Sequence, residues 1–292
     1  MNNVAGVVGL GIMGGAMARN LVKAGWDVVG YDVDGGACKA ATDAGVKVAE
    51  SAATVAAEAP AIVMSLPSPA AALAVAKELA GAGKARVVVE TSTLALEDKE
   101  EIRRVLEAGG HTALDCPLSG TGAQAQTGDL VVYASGDSAA IASLMPMFAG
   151  FSREAHDLGQ FGNGSKMKFV ANLLVAINNV ASAEAMVLAE KAGLDLKQVV
   201  TLVSAGAANS RIFELRAPMM AENIYLPATM RLSTWQKDMA VIGKFAAALG
   251  SPTPLFSATV PVYSAANGMG LGDLDVAATC TVLETMSGVK RG

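Results

Sequence analysis

The 292-residue chain has little cysteine and little histidine. Its three cysteines, Cys38, Cys116 and Cys280, are odd in number and widely scattered, and the only histidines are His111 and His156. No Cys-x-x-Cys pair occurs. This argues against a disulfide framework and against a zinc site, and a reducing cytoplasm is the expected compartment. A basic balance is also missing. Against 22 Lys and Arg stand 27 Asp and Glu, for a net charge of −5, which argues against nucleic acid as the main partner. A small anion stays open, because a local pocket can oppose the global sign. Met1-Asn2-Asn3 carries no lysine or arginine, and glycines soon break the apolar run, so no secretory leader is read. The nearest approach to a membrane span, residues 169–189, contains Asn172, Asn178, Asn179, Ser182 and Glu184. These are costly in lipid, so a buried helix is expected and no membrane partner. What the chain does have is apolar residues, 52% against 17% charged. It is therefore a folded chain, long enough for one large domain or two ordinary ones.

The first half alternates between two textures. Short β-rich runs lie at 4–8, 28–31, 61–65, 87–90, 111–115 and 130–134. Between most of them are segments with helical spacing, such as 16–24, 70–79 and 96–108. This alternation implies βαβ units and a mainly parallel sheet. Gly25 and Gly45 fit as helix stops, Ser51 as an N-cap, and Thr93 as a residue near a helix start. The texture changes near 159–164. One long helix is expected over 165–191, stopped by Gly193, with further helices at 198–204, 212–220, 237–248 and 276–286. Pro227 and Ser251-Pro252-Thr253-Pro254 read as breaks between them.

The segment Gly9-Leu10-Gly11-Ile12-Met13-Gly14 follows the first strand and opens a helix. In such a G-x-G-x-x-G loop the first glycine permits a tight turn. The second lets a pyrophosphate approach the backbone, and the third lets helix and strand pack closely. The helix then offers free N–H groups and a positive dipole end to phosphates. The next strand ends at Asp32, at about the separation expected for the acid that holds the adenosine ribose. Its carboxylate would repel a 2′-phosphate, and Val33 and Asp34 follow it with no arginine, so NAD is favoured over NADP. The plan is an α/β Rossmann-type N-terminal domain over residues 1–163. A long connecting helix follows and opens an all-α C-terminal domain over 164–292.

The motifs continue in a characteristic order. After residues 9–21 come Leu66-Pro67, Thr91-Ser92-Thr93, Asp115-Cys116-Pro117-Leu118-Ser119-Gly120, then Gly162-x-Gly164-x-x-x-Lys168-x-x-x-Asn172, and Lys237-Asp238. Nearly end to end, the chain resembles the β-hydroxyacid dehydrogenase family. That family takes in 3-hydroxyisobutyrate dehydrogenase, tartronate semialdehyde reductase and L-threonate dehydrogenase, with a helical C-terminal domain like that of 6-phosphogluconate dehydrogenase. The resemblance implies a hydride transfer between NAD and a small β-hydroxyacid or its semialdehyde. By the same resemblance Leu66 and Pro67 line the nicotinamide half of the cofactor groove, and Thr93 contacts the cofactor. Ser119 and Gly120 hold the substrate carboxylate, Lys168 is the acid/base, Asn172 orients the substrate, and Lys237 closes over cofactor and substrate. It also implies a homodimer or homotetramer. An NADPH-linked semialdehyde reductase, or an imine reductase on the same scaffold, is the alternative. Imine reducers generally replace the lysine, which is present here. A dinucleotide-binding module without catalysis is the third reading.

The residues suit the chemistry. With NAD taking the hydride, the protein must position the substrate, hold its charge and manage one proton. Lys168 and Asn172 are four residues apart and share a helix face, whereas Lys166 points elsewhere. A free lysine titrates at about 10.4, so a site using Lys168 as a base must lower that value. The chain departs from the family after Ser119: where two glycines usually follow, Gly120 is followed by Thr121 and then Gly122. Thr121 is therefore a candidate substrate contact and a hint of an altered pocket, or else a harmless local adjustment. Arg211 and Arg231 could bind a second acidic group, but surface exposure is the preferred reading for both. Met219-Met220 and Asn178-Asn179 read as packing and helix–helix hydrogen bonding.

Overall fold

The computed structural model describes residues 3–289. Met1 and Asn2, which belong to the stretch read above as lacking a leader, lie outside it, as do residues 290–292. The chain divides into two compact units between Lys168 and Phe169.

The first unit begins with β1 (Val4–Val8), α1 (Ile12–Lys23), β2 (Asp27–Tyr31), α2 (Gly35–Asp43), β3 (Lys47–Val48) and α3 (Ala52–Glu58). It continues with β4 (Ala61–Met64), α4 (Pro69–Ala80), β5 (Val87–Glu90), α5 (Leu96–Ala108) and β6 (Thr112–Asp115). The six strands form one sheet in the order β3-β2-β1-β4-β5-β6, and every pairing in it is parallel. Side chains alternate between its faces. Ala5 and Val7 pack into one core with Met17, Leu21 and Leu114. Val8 packs into the other with Val55, Ile62, Leu79 and Leu106. Helices thus cover both faces, which is what lets the middles of these strands be apolar on both sides. Ser51 caps α3 by accepting from the Thr54 N–H, as expected. Thr93 stands near the start of α5, as expected; the N-cap is Ala95, without a side-chain cap.

Beyond β6 the unit departs from the expected plan. It adds β7 (Leu118–Ser119), α6 (Gly122–Gln126), β8 (Val131–Ala134), α7 (Ser138–Ala149) and β9 (Glu154–Asp157). The run expected at 130–134 joins not the large sheet but a separate three-stranded one, β7-β8-β9. There β7 runs antiparallel to β8 and β9 parallel to it. His111 precedes β6 rather than opening it. Its ring is buried, with Nδ1 accepting from the Arg86 N–H and Nε2 2.9 Å from the Leu79 carbonyl.

Helix α8 (Asn163–Lys191) starts two residues ahead of the expectation and carries the chain into the second unit. There follow α9 (Leu196–Ser204), α10 (Arg211–Glu222), α11 (Leu232–Ala248), α12 (Pro254–Gly268), a 3₁₀ turn at Val276–Ala278, and α13 (Thr279–Met286). Helix α12 was not expected, because prolines at 252 and 254 read as a break. Pro254 in fact opens the helix, where its missing N–H has no partner to lose. Helix α8 is the one described helix long and apolar enough to cross a bilayer by length and composition. One face of it packs into the second unit: buried Asn179 lies among Tyr263 Oη, the Val276 carbonyl and Thr279 Oγ1 at 3.0–3.1 Å. Phe169 packs on Phe245, ring centroids 5.1 Å apart.

Candidate active site

The parallel register aligns the ends of five strands. Val8 is opposite Tyr31 on one side and Met64 on the other, Met64 is opposite Glu90, and Glu90 is opposite Asp115. The residues that follow these ends therefore lie along one carboxyl edge. They are the glycine loop, Asp32, Leu66-Pro67 and Thr91–Thr93. Strand order reverses between β1 and β4, and the crevice at such a switch point is where open α/β sheets bind ligands. Gly9 lies there with φ +91°, and a Cβ on it would fall 2.1 Å from the Ser65 carbonyl oxygen. A Cβ on Gly14 would fall 1.8 Å from the Gly9 carbonyl oxygen. Both glycines are thus required by close backbone approach. Above Gly11 the space is open.

Neighbouring helices start on side-chain caps from Ser51, Ser68 and Asp137, but α1 starts on Gly11 with none. Its first-turn N–H groups form a site suited to phosphate oxygens. Asp32 flanks this loop. Its Oδ2 accepts from the Leu10 N–H at 2.6 Å and its Oδ1 from the Asp34 N–H at 2.9 Å. The carboxylate is thereby fixed beside the turn that would carry the pyrophosphate, and it retains lone pairs for ribose hydroxyls. Lys39, the first basic residue downstream, is engaged by Asp43 at 3.0 Å. These residues fit a dinucleotide. Leu66 is tied to the next loop, its N–H donating to Ser92 Oγ at 2.9 Å.

Ser119 ends β7 and is half-buried. Gly120 takes the positive φ, +139°, while Thr121 sits at φ −96°, where threonine costs no strain. Thr121 forms a capping box with Gln124: its Oγ1 accepts from the Gln124 N–H, and Gln124 Oε1 accepts from the Thr121 N–H at 3.0 Å. Gln124 Nε2 donates onward to Asp129. In this conformation the N–H of residue 121 is therefore engaged within the protein.

Lys168 lies on α8 just beyond the carboxyl edge, because that helix begins against Asp115, the last residue of β6. Asp115 Oδ2 accepts from the Ser165 N–H and Oδ1 from Ser165 Oγ, both at 2.8 Å. Lys166 points to Asn163, as its place on the helix requires. In the second unit Asn172 is buried and donates through Nδ2 to Asp238 Oδ2 at 3.1 Å. Lys237 is half-exposed, with Nζ 3.8 Å from Asp238 Oδ1. Arg211 is exposed and paired with Glu214, and Arg231 is an exposed N-cap residue. Two residues went unassigned in the sequence reading, Asp115 and Asp238, although both stand in its motifs. The available signal was an acid ending the short apolar run Ala113-Leu114, and another followed at once by Met239-Ala240-Val241.

A doubly wound parallel sheet with an uncapped glycine loop and a ribose-side acid defines an NAD(P)-binding enzyme domain. The family model for the NAD binding domain of 6-phosphogluconate dehydrogenase matches residues 4–159. The model for the NAD-binding domain of NADP-dependent 3-hydroxyisobutyrate dehydrogenase matches 162–283. Glyoxylate/succinic semialdehyde reductase 1 of Arabidopsis thaliana is 32% identical over 281 residues, covering 94% of this chain and 96% of that one. L-Threonate dehydrogenase of Escherichia coli O6:H1 is 32% identical over 293 residues, covering 97% and 95%. The solved structure of 3-hydroxyisobutyrate dehydrogenase from Salmonella typhimurium superposes with a TM-score of 0.87 at 31% identity, covering 96% and 99%. The chain belongs to the β-hydroxyacid dehydrogenase family and is an NAD(P)-dependent oxidoreductase.

Proposed function

We propose that the protein transfers a hydride between NAD and a small β-hydroxyacid or its semialdehyde, with Lys168 as the general acid/base. The observation that carries this reading is the start of α8. Ser165 is bonded to the end of β6, and this sets Lys168 one helical turn beyond the carboxyl edge that the dinucleotide fits. When bound, the nicotinamide supplies the hydride chemistry. The chain supplies the rest. In reduction the Lys168 ammonium polarises the carbonyl oxygen and donates the proton; in oxidation the neutral amine accepts it. Asn172, with its Nδ2 given to Asp238, keeps its carbonyl oxygen for a substrate hydroxyl. Ser119 and Gly120 take the carboxylate, with Thr121 beside them, and Lys237 adds positive charge near the cofactor.

Asp32, held at the glycine loop, supports NAD over NADP, with Leu66, Pro67 and Thr93 along the same edge. In this division residues 1–163 bind the cofactor, while residues 164–292 serve substrate and a second copy of the chain. A homodimer or homotetramer is supported by two features of the second unit. Helix α9 buries none of its residues, and Val170, Leu174 and Leu188 are exposed at helical spacing along α8. The protein acts in the cytoplasm on this reading. A screen of small β-hydroxyacids and semialdehydes with NAD and NADP tests the proposal. Turnover of at least one of them with NAD is expected, and cofactor binding without turnover on any would defeat it.

A further inference from the structure

Helix α5 carries Lys99 into the interior of the first unit. The side chain is 1% exposed and lies between two buried carboxylates, Glu90 at the end of β5 and Asp115 at the end of β6. Its Nζ is 2.9 Å from Asp115 Oδ1 and contacts Glu90 Oε2. Burial alone would lower the lysine pKa, but the two anions outweigh it and leave the pKa raised. The group is therefore a fixed cation. One cation does not balance two carboxylates, so each carboxylate needs further donors. Those donors are informative. Glu90 Oε1 accepts from the Ser92 N–H at 2.9 Å, and Ser92 Oγ accepts from the Leu66 N–H. Asp115 accepts from the N–H and Oγ of Ser165, and Ser135 Oγ bridges the Asp115 carbonyl and the Gly164 N–H at 3.0 Å each.

We infer that Lys99 is a positioning residue that sets two parts of the active centre at once. Through Glu90 and Ser92 it fixes the Leu66 loop of the cofactor groove. Through Asp115 and Ser165 it fixes the first turn of α8, three residues ahead of Lys168. The second arm rests on the reading of Lys168 as the acid/base. None of these groups touches the reacting atoms. They act by keeping loops and helix in register, where a shift of about 1 Å costs roughly a hundredfold in rate.

Removing Lys99 strands two buried anions and puts folding itself at stake, so the arms are tested separately on the full-length protein. Ser165→Ala should lower kcat about tenfold or more, with the NAD Kd unchanged, and Ser165→Thr, which keeps the hydroxyl, should restore most of it. Glu90→Gln should raise the NAD Kd severalfold while changing kcat less. A purely structural network would instead lower Tm in each variant without dividing kcat from cofactor affinity, and that result overturns the inference. Lys168→Ala is run alongside. If it keeps turnover, the acid/base reading falls and the α8 arm with it. If it loses turnover while folded Ser165→Ala keeps full kcat, the positioning role alone is overturned.

Discussion

Asn172 donates its amide to Asp238, and both side chains are buried. The bond commits Nδ2 to the carboxylate and so sets the orientation of the amide, which the proposed substrate role of Asn172 requires. Asp238→Ala should therefore do more than destabilise. It leaves a buried donor unpaired, at about 1–3 kcal/mol, and frees the amide to rotate. The expected outcome is a lower Tm and a kcat that falls more than substrate KM rises. Thermal unfolding with steady-state kinetics checks it, and an unchanged kcat would show that the amide orientation has no catalytic use.

Lys168→Ala should lower kcat by roughly 10²–10⁴-fold, the usual range for a positioned acid/base. NAD affinity, measured by fluorescence titration, should stay within about twofold, because the glycine loop and Asp32, proposed to hold phosphate and ribose, lie elsewhere in the fold.

Asp32→Ser should narrow the preference between cofactors. Loss of the carboxylate removes the repulsion toward a 2′-phosphate and the acceptor that holds the Leu10 N–H. The kcat/KM for NAD is expected to fall about tenfold or more while that for NADP rises or holds. A wild-type ratio already favouring NADP would overturn the NAD assignment before any variant is made.

Thr121→Gly opens the capping box with Gln124 and returns the position to the pattern usual in the family. A loss of only a few tenths of a kcal/mol in stability is expected, since glycine is itself a good N-cap. If Thr121 shapes the pocket, the order of preference across a panel of β-hydroxyacids changes as well. An identical profile would leave the threonine a local adjustment.

For assembly, light scattering should give a mass at least twice that of one chain. Leu174→Lys combined with Leu188→Glu should reduce it to one, since charge on this apolar stripe opposes burial against a second copy.

The sequence made the cofactor half legible because its signals are local. A turn that needs φ +91° at Gly9 and a strand ending in an acid are written in consecutive residues. The second sheet was not legible, since β7 has two residues and its pairing with β8 depends on a partner outside any short window. Helix α12 was hidden because proline is a stop signal inside a helix and a permitted opening residue at its start. Lys99 shows a third kind of loss. In α5 the residues Leu96, Lys99, Ile102 and Leu106 recur at helical spacing, and the last two are core. The lysine stands in the apolar stripe, a visible anomaly whose meaning depended on two carboxylates nine residues before and sixteen after it in the chain.

The attachment of α8 to β6 also sets where this enzyme can be divided. The two family matches part between residues 159 and 162, which makes that loop the natural cut for exchanging helical halves with a relative. Such a cut would pair Asp115 of one parent with the helix start of another. A junction placed after Lys168 keeps Asp115, Ser165 and the lysine from a single parent, and hybrids built there should turn over faster than hybrids cut at 159–162.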